Sequence, residues 1–94
     1  MERIIDGKRY STITASLVAS NRYWDGSNWD RSGRCTYLYK TARGNFFLHH
    51  TTRWQGERDT LEAISEGEAK SRYEGLPEHE MEYEDAFGQA PEEA

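Results

Sequence analysis

Hydrophobic and polar residues alternate over short stretches in the first two thirds of the chain, which is the pattern of β-strands. Residues 3–10 place two isoleucines before Asp6-Gly7 and Arg9-Tyr10 after it. An Asp-Gly pair readily adopts the two positive φ angles of a type I′ turn, so a tight hairpin is predicted here. Residues 11–20 are rich in Ser, Thr and β-branched side chains. They predict an irregular turn at 11–14 and a strand at 16–24.

The clearest strand signal is a long hairpin in the middle of the chain. Residues 35–41 and 45–54 are aromatic and β-branched, and they flank a turn predicted at 42–45. Residues 25–33 before the hairpin form a polar loop with two glycines, and residues 60–64 after it, TLEAI, predict one more short strand.

A helix is predicted over residues 66–74. Ser65 and Glu68 have the spacing of a capping box, in which the Ser65 side chain accepts the Glu68 amide proton and the Glu68 carboxylate reaches back. Gly75 predicts a left-handed stop, and Pro77 prevents continuation. The residues predicted for the buried face are Ala69, Tyr73 and Leu76.

These elements predict a single α+β domain at residues 1–88 and a frayed acidic tail at 89–94. The expected architecture is a meandering antiparallel sheet of four or five strands with one or two short C-terminal helices. A chain of 94 residues can bury one small core but has little room for a deep substrate cavity.

Charge is distributed unevenly along the chain, although the net charge is only −5. Residues 1–54 hold nine basic and four acidic residues, whereas residues 55–94 hold three basic and thirteen acidic ones. The C-terminal part is therefore strongly acidic, which disfavours a plain nucleic-acid-binding protein. A single cysteine, no secretory signal and no apolar run of membrane-spanning length favour the cytoplasm, without a membrane partner.

Candidate catalytic and metal-binding residues are few. His49 and His50 are adjacent, so on a strand they point to opposite faces and cannot chelate one ion together without a bulge. Counting back from the 42–45 turn puts Cys35 near Thr52, with His50 as a diagonal neighbour, and this is the one catalytic dyad that can be constructed. No glycine-rich oxyanion or phosphate loop accompanies it. The sequence therefore predicts no catalytic residue, no metal and no cofactor.

Trp24 and Trp29 lie five residues apart around an Asp-Gly turn. One interpretation is a binding loop, because exposed Trp is common at interaction hot spots. The other is a lid of two indoles over a small core, and it is the favoured one.

Residues 78–85, EHEMEYED, which we call the acidic segment, contain five acids among eight residues. If residues 78–83 are extended, the glutamates at 78, 80 and 82 line one side and stand about 6.7 Å apart. That spacing is about twice the ~3.4 Å rise per phosphate of one DNA strand, so the row could imitate a phosphate backbone. Alternatively the charges keep a sheet edge soluble, or Tyr83–Phe87 form a helical turn with Tyr83 and Phe87 on the core.

A resemblance bears on function. The stretches that carry it are DGKRY, SNRYWDGSNW, TYLYKTARGNFFL, TRWQGERDTLEAIS, an E-x-E-A helix start and YEDAFG. Together they resemble small bacterial and phage proteins of unassigned role, often encoded on mobile elements. Some small acidic proteins of such elements resemble anti-CRISPR proteins, which bind a CRISPR effector and block target DNA, frequently by presenting carboxylates to its basic groove. The resemblance implies the same fold and offers that class of function.

Three hypotheses follow. The first is a non-enzymatic, DNA-mimicking inhibitor that binds a CRISPR effector or another nucleic-acid-binding complex, without binding nucleic acid itself, and that could also form a homodimer. Its candidate partner-binding residues are Glu66, Glu68, Glu74, Glu78, Glu80, Glu82, Glu84 and Asp85. The second is a nucleic-acid-contacting accessory protein. Its candidate residues are Arg22, Arg31, Arg34, Lys40, Arg43 and Arg53, with Trp24 or Trp29 as a stacking platform. The third is a hydrolase-like enzyme using Cys35 and His50.

Overall fold

The structure of the chain is a computed structural model that describes residues 1–21, 34–52, 56 and 58–91, with Arg34 described by its backbone only. Within these residues the fold is α+β, as predicted: a two-stranded hairpin, a five-stranded antiparallel sheet and two short helices. The elements are β1 (Glu2–Ile5), β2 (Lys8–Ser11), β3 (Ser16–Ser20), β4 (Arg34–Lys40), β5 (Phe46–Thr52), β6 (Thr60–Ile64), α1 (Glu66–Gly75), β7 (Glu78–His79) and α2 (Tyr83–Phe87).

The β1–β2 hairpin forms where the Asp-Gly pair predicts it. Ile5 pairs with Lys8, and Asp6 and Gly7 have φ angles of 53° and 76°. Two consecutive positive φ angles are the signature of a type I′ turn, which matches the twist of the flanking strands. The irregular turn after it is confirmed at residues 12–14, where the Ala15 amide donates to the Ser11 carbonyl oxygen at 3.1 Å, while Ser11 itself still belongs to β2.

The five-stranded sheet has the order β6-β5-β4-β3-β7. Strand β3 begins at Ser16 as predicted. It ends at Ser20 and not at residue 24, because Asn21 is already a bend, and residues 22–24 lie outside the described residues. A register shift between Leu17 and Ala19 lets Val18 and Ala19 both bury their side chains completely. The predicted strand at Thr60–Ile64 is confirmed as β6.

The β4–β5 hairpin is confirmed, but its register differs by one residue from the prediction. Lys40 pairs with Phe46, and the Thr41 amide donates to the Asn45 carbonyl oxygen at 2.8 Å. Gly44, with φ of 87°, closes a three-residue loop of the kind that joins a tight turn to one left-handed residue. Cys35 therefore lies opposite Thr51 and not Thr52.

The two faces of the five-stranded sheet carry different layers. We call the face covered by α1 and α2 the helix face. Its core residues are Val18, Ala19, Leu38, Phe46, Leu48, Ala69, Tyr73, Leu76, Ala86 and Phe87. On the opposite side, the hairpin face, the β1–β2 hairpin packs through Tyr10 on Phe47 and Leu61. Alternation along β5 sends Phe46 and Leu48 to one face and Phe47 to the other, which is why one strand serves both cores.

Helix α1 begins as predicted and ends differently. Ser65 is its N-cap, and its side-chain oxygen accepts the Glu68 amide proton at 3.1 Å; the described residues show no return bond from the Glu68 carboxylate. The predicted left-handed stop at Gly75 is wrong, because Gly75 is helical and the cap is Leu76 with extended angles. Pro77 explains this, since a proline forces the residue before it out of the helical region.

The acidic segment is not one extended strand. Only Glu78–His79 pair as β7, on the edge of the sheet beside β3, and Tyr83–Phe87 form α2. The predicted continuous row of carboxylates at 78–83 is therefore wrong, and the alternative helical turn is confirmed. The helical turn forms because it buries apolar side chains. Phe87 is buried and Tyr83 is half-buried on the helix-face core. The two residues are one helical turn apart in sequence, and their ring centroids are 4.8 Å from each other. None of the helices in the described ranges is long and apolar enough to cross a membrane.

Candidate functional site

The predicted partner-binding acids are all at the surface, but they form separate groups. Glu78 is half-buried and the other seven are exposed. Glu66 and Glu68 lie in the first turn of α1, whereas Glu74 lies near its end, about 12 Å away along the axis at 1.5 Å per residue. The eight residues therefore do not make one continuous surface.

Glu66 and Glu68 have an ordinary structural role. Both lie in the first turn of the helix, where a negative charge interacts favourably with the helix dipole. Glu66 also faces Lys70 one turn later, with 3.9 Å between the carboxylate and the ammonium group. Helix stability alone therefore accounts for the positions of these two acids.

Four of the six remaining acids gather around Tyr83, whereas Glu78 and Glu80 lie at the sheet edge beside β3. Glu82, Glu84 and Asp85 line an open groove with Tyr83 and Pro91, and Glu74 lines a second groove that shares Tyr83 and Pro91. The two grooves thus join the start of α2 to the end of α1. We call Glu74, Glu82, Glu84 and Asp85 the acidic surface.

Aromatic packing fixes the element that carries the acidic surface. Phe87 contacts Phe46 of the sheet and Tyr73 of α1, with ring centroids 5.2 and 5.7 Å apart. Tyr83 meets Tyr73 edge-on at 5.7 Å. Helix α2 has only five residues and its N-cap Glu82 makes no side-chain capping bond, so these ring contacts hold it in place.

Two lysines lie close to the acidic surface, but neither neutralises its carboxylates. The Lys40 ammonium group donates to the backbone oxygen of Asp85 at 3.2 Å. Lys70 bridges to Glu66 and lies over the Phe87 ring, 5.8 Å from its centroid. Within the described residues, no ion pair is formed by a carboxylate of the acidic surface. Lys70 lines the same groove as Glu74 but pairs with Glu66, so the four carboxylates have no ion-pair partner within the described residues.

A second group of contacts ties the acidic segment to the fold between β7 and α2. The His79 ring stacks on Tyr73 with 3.9 Å between centroids, and its Nε2 is 2.7 Å from the Tyr73 carbonyl oxygen. The Tyr73 hydroxyl donates to the Met81 carbonyl oxygen at 2.8 Å. Burial, with a smaller contribution from the negative charge of Glu82, raises the pKa of Tyr73, so the phenol stays a neutral donor. No sequence pattern indicates these contacts, because Tyr73 meets His79 and Met81 only across the Leu76-Pro77 turn.

The proposed catalytic dyad is not formed. Cys35 pairs with Thr51 and Thr36 with His50, so alternation puts Cys35 and His50 on opposite faces of the sheet. His50 instead has Thr36 Oγ1 at 3.2 Å from Nδ1 and a Glu62 carboxylate oxygen at 3.4 Å from Nε2. Among the described residues, no group of three or more His, Cys, Asp or Glu could hold a metal ion.

The two adjacent histidines do separate between the faces. His49 lies on the hairpin face beside Tyr37 and Tyr39, with ring centroids 5.8 and 6.4 Å away. Both of its ring nitrogens are buried without a hydrogen-bond partner in the described part of the chain. Burial lowers the pKa of His49, the N-terminus and His50 add to this, and Asp59 opposes it.

Most candidate residues of the second hypothesis, a nucleic-acid-contacting accessory protein, lie outside the described residues. Arg22, Trp24, Trp29, Arg31 and Arg53 lie there, as does the side chain of Arg34. Lys40 and Arg43 are described: the first contacts α2, and the second is exposed in the β4–β5 turn. They lie at the same end of the hairpin.

The comparisons with known proteins give no relatives. No family model matches the chain, and no curated protein or solved structure gives a significant match.

Proposed function

We propose that the chain is a non-enzymatic protein-binding domain whose acidic surface occupies a basic nucleic-acid groove of a partner protein. The observation that carries the proposal is the group Glu74, Glu82, Glu84 and Asp85, gathered around Tyr83 and without a cation partner in the described residues. Carboxylates held on a packed element attract a Lys- and Arg-lined groove at long range and pair with it on contact.

The partner class follows from charge and from the resemblance. A CRISPR effector in the bacterial cytoplasm is the specific partner that the resemblance suggests, and any complex with a DNA-binding groove fits the charge. The mechanism is competition, because the acidic surface and DNA phosphates seek the same cations. The acidic surface replaces the continuous row of residues 78–83 as the proposed contact. Glu78 and Glu80 lie at the sheet edge beside β3 and do not line its grooves.

Affinity capture with matched variants tests the proposal. The tagged parent, the double variant Glu82→Lys/Glu84→Lys and the control Glu2→Lys/Glu62→Lys are incubated with bacterial lysate, eluted with salt and analysed by mass spectrometry. Both variants change the net charge by the same amount, and all four residues are exposed. Glu2 and Glu62 form surface pairs with Arg9 and His50, which contribute little to stability.

We expect the parent and the control to retain a nucleic-acid-binding assembly that elutes with salt, and the acidic-surface variant to lose it. Recovery of the same assembly with the acidic-surface variant would show that another part of the molecule binds it. Thermal melts of all three proteins separate a lost interface from a lost fold.

A further inference from the structure

A second charged surface lies on the other side of the sheet from the helices. An open groove runs between the β1–β2 turn and the β4–β5 turn, and we call it the basic groove. Its cations are Lys8, Arg9 and Arg43, all exposed. No Asp or Glu is among the described residues that line it.

The donors of the basic groove are largely open. Arg9 pairs with Glu2 at 3.5 Å, whereas Lys8 and Arg43 have no carboxylate partner in the described ranges. Thr41 and Asn45 also line the groove, and Thr41 Oγ1 accepts the Asn45 amide proton at 3.0 Å. Lys8 and Arg43, which have no opposing acid in the described residues, can pair with an anion that has several acceptor oxygens.

The two turns that bound the basic groove are held by local structure. The β1–β2 turn has the type I′ geometry of Asp6-Gly7, and the β4–β5 turn is closed by Gly44 and the Thr41–Asn45 bonds. Between them, Tyr10 packs on Phe47 with ring centroids 5.5 Å apart and is 6% exposed. The floor of the groove is therefore aromatic but closed to stacking.

We propose that the basic groove binds the phosphodiester backbone of a single nucleic-acid strand, independently of its sequence. Guanidinium groups pair with carboxylates and phosphates alike. A nucleic-acid strand repeats its phosphate at every nucleotide, so one strand can meet the cations of both turns at once. The buried Tyr10 ring offers no platform for a base, so contacts go to the backbone. One groove with three cations on a small domain is too limited for a duplex interface, for which even single modules bury roughly 600–1,000 Å².

The test is fluorescence anisotropy with a labelled 20-nucleotide oligo-dT strand and its RNA counterpart, at low and high salt. The groove variant is Lys8→Glu/Arg43→Glu, and the control is Arg58→Glu/Arg72→Glu, which makes the same change in net charge at exposed positions elsewhere. We expect salt-sensitive binding by the parent and the control, and a loss of about tenfold or more in the groove variant. Removing two phosphate contacts should also lower the slope of log affinity against log salt by about 1.4.

Competition identifies the occupant. Inorganic phosphate, a mononucleotide and poly-glutamate are each added to the strand complex, and we expect the unlabelled strand to compete best. Equal competition by poly-glutamate would overturn the proposal in favour of an acidic protein segment, and a mononucleotide as effective as the strand would overturn it in favour of a small-molecule site. No binding at low salt, or an equal loss in both variants, also contradicts it.

The result is separable from the proposed function. The acidic-surface variant Glu82→Lys/Glu84→Lys should still bind the strand, while Lys8→Glu/Arg43→Glu should still capture the protein partner. A negative result for one surface therefore leaves the proposal for the other surface unchanged.

Discussion

At the residue scale, His49 is the least satisfied polar side chain that the structure shows. Its neutral form is favoured in the folded state, because burial lowers its pKa below the unfolded value. An unfolded chain therefore binds the His49 proton more readily than the folded one. This contribution to stability is complete above the unfolded pKa of about 6.5 and is lost progressively as the pH falls below it.

We predict that His49→Phe weakens the dependence of stability on pH between 8 and 5. Phe keeps the ring contacts with Tyr37 and Tyr39 and removes the two unpartnered nitrogens, so we also expect a gain of about 1 kcal/mol at pH 7. Urea unfolding of parent and variant across this pH range measures both effects. A variant that loses stability on acidification as steeply as the parent would show that His49 is not the titrating group.

Tyr73 gives a second prediction, since its hydroxyl bonds the Met81 carbonyl between β7 and α2. Tyr73→Phe removes that donor, and we expect a loss of about 1 kcal/mol. Tyr83→Phe is the matched control, because the structure shows no hydrogen bond from the Tyr83 hydroxyl within the described residues. Equal losses in the two variants, measured by urea unfolding, would contradict the role of the Tyr73 bond.

At the scale of elements, the N-cap of α1 is the clearest local determinant. Ser65→Ala removes the acceptor of the Glu68 amide proton, and we expect a loss of about 1 kcal/mol. Ser71→Ala, at an exposed position within the same helix, should be neutral or slightly stabilising because Ala has the higher helix propensity. Chemical denaturation measures the free energy of unfolding of both variants. An unchanged stability of Ser65→Ala would contradict a stabilising role for the Ser65 cap.

Two glycines near helix ends should respond in opposite directions to replacement by alanine. Gly75 is helical with no atom within 4 Å of an added Cβ, so Gly75→Ala should stabilise by about 0.5 to 1 kcal/mol. Gly88 has φ of 78°, so Gly88→Ala should destabilise by about 1 kcal/mol. Thermal melts test the pair, and a destabilised Gly75→Ala would mean that α1 ends one residue earlier than the structure shows.

The same elements show how far local sequence determines the fold. Asp6-Gly7 and Ser65 act on their own neighbours, so the hairpin and the helix start were predictable. Gly75 was not, because a glycine before Leu76-Pro77 is compatible with either a left-handed stop or a last helical residue. The β4–β5 register depends on the conformation of Gly44, and a one-residue difference there reassigns every cross-strand pair.

The candidate site was predictable in composition but not in geometry. Alternating glutamates in residues 78–83 fit a strand, yet burial of Tyr83 and Phe87 four residues apart favours the helix α2. Helix α2 draws Glu82, Glu84 and Asp85 toward Glu74 of α1, which no spacing along the sequence indicates. The contact between His79 and Tyr73 likewise depends on the turn between them.

At the scale of the whole molecule, the charge asymmetry of the sequence becomes an asymmetry between two faces. The acidic surface belongs to the helices on one side of the sheet, and the basic groove to the hairpin turns on the other. Both lie near the β4–β5 turn, where Lys40 reaches Asp85 and Arg43 enters the groove. A domain of this kind can present opposite charges to two partners, and the acidic side is the one that we propose inhibits a DNA-binding protein.

A DNA-release measurement on the assembly that the parent captures tests whether the acidic surface displaces DNA. That assembly is held on its labelled DNA while increasing amounts of parent, Glu82→Lys/Glu84→Lys or Glu2→Lys/Glu62→Lys are added. We predict that the parent and the control release the DNA in proportion to their concentration, less so at high salt, and that the acidic-surface variant releases little. DNA that stays bound in the presence of the parent, or equal release by the acidic-surface variant, would contradict the claim.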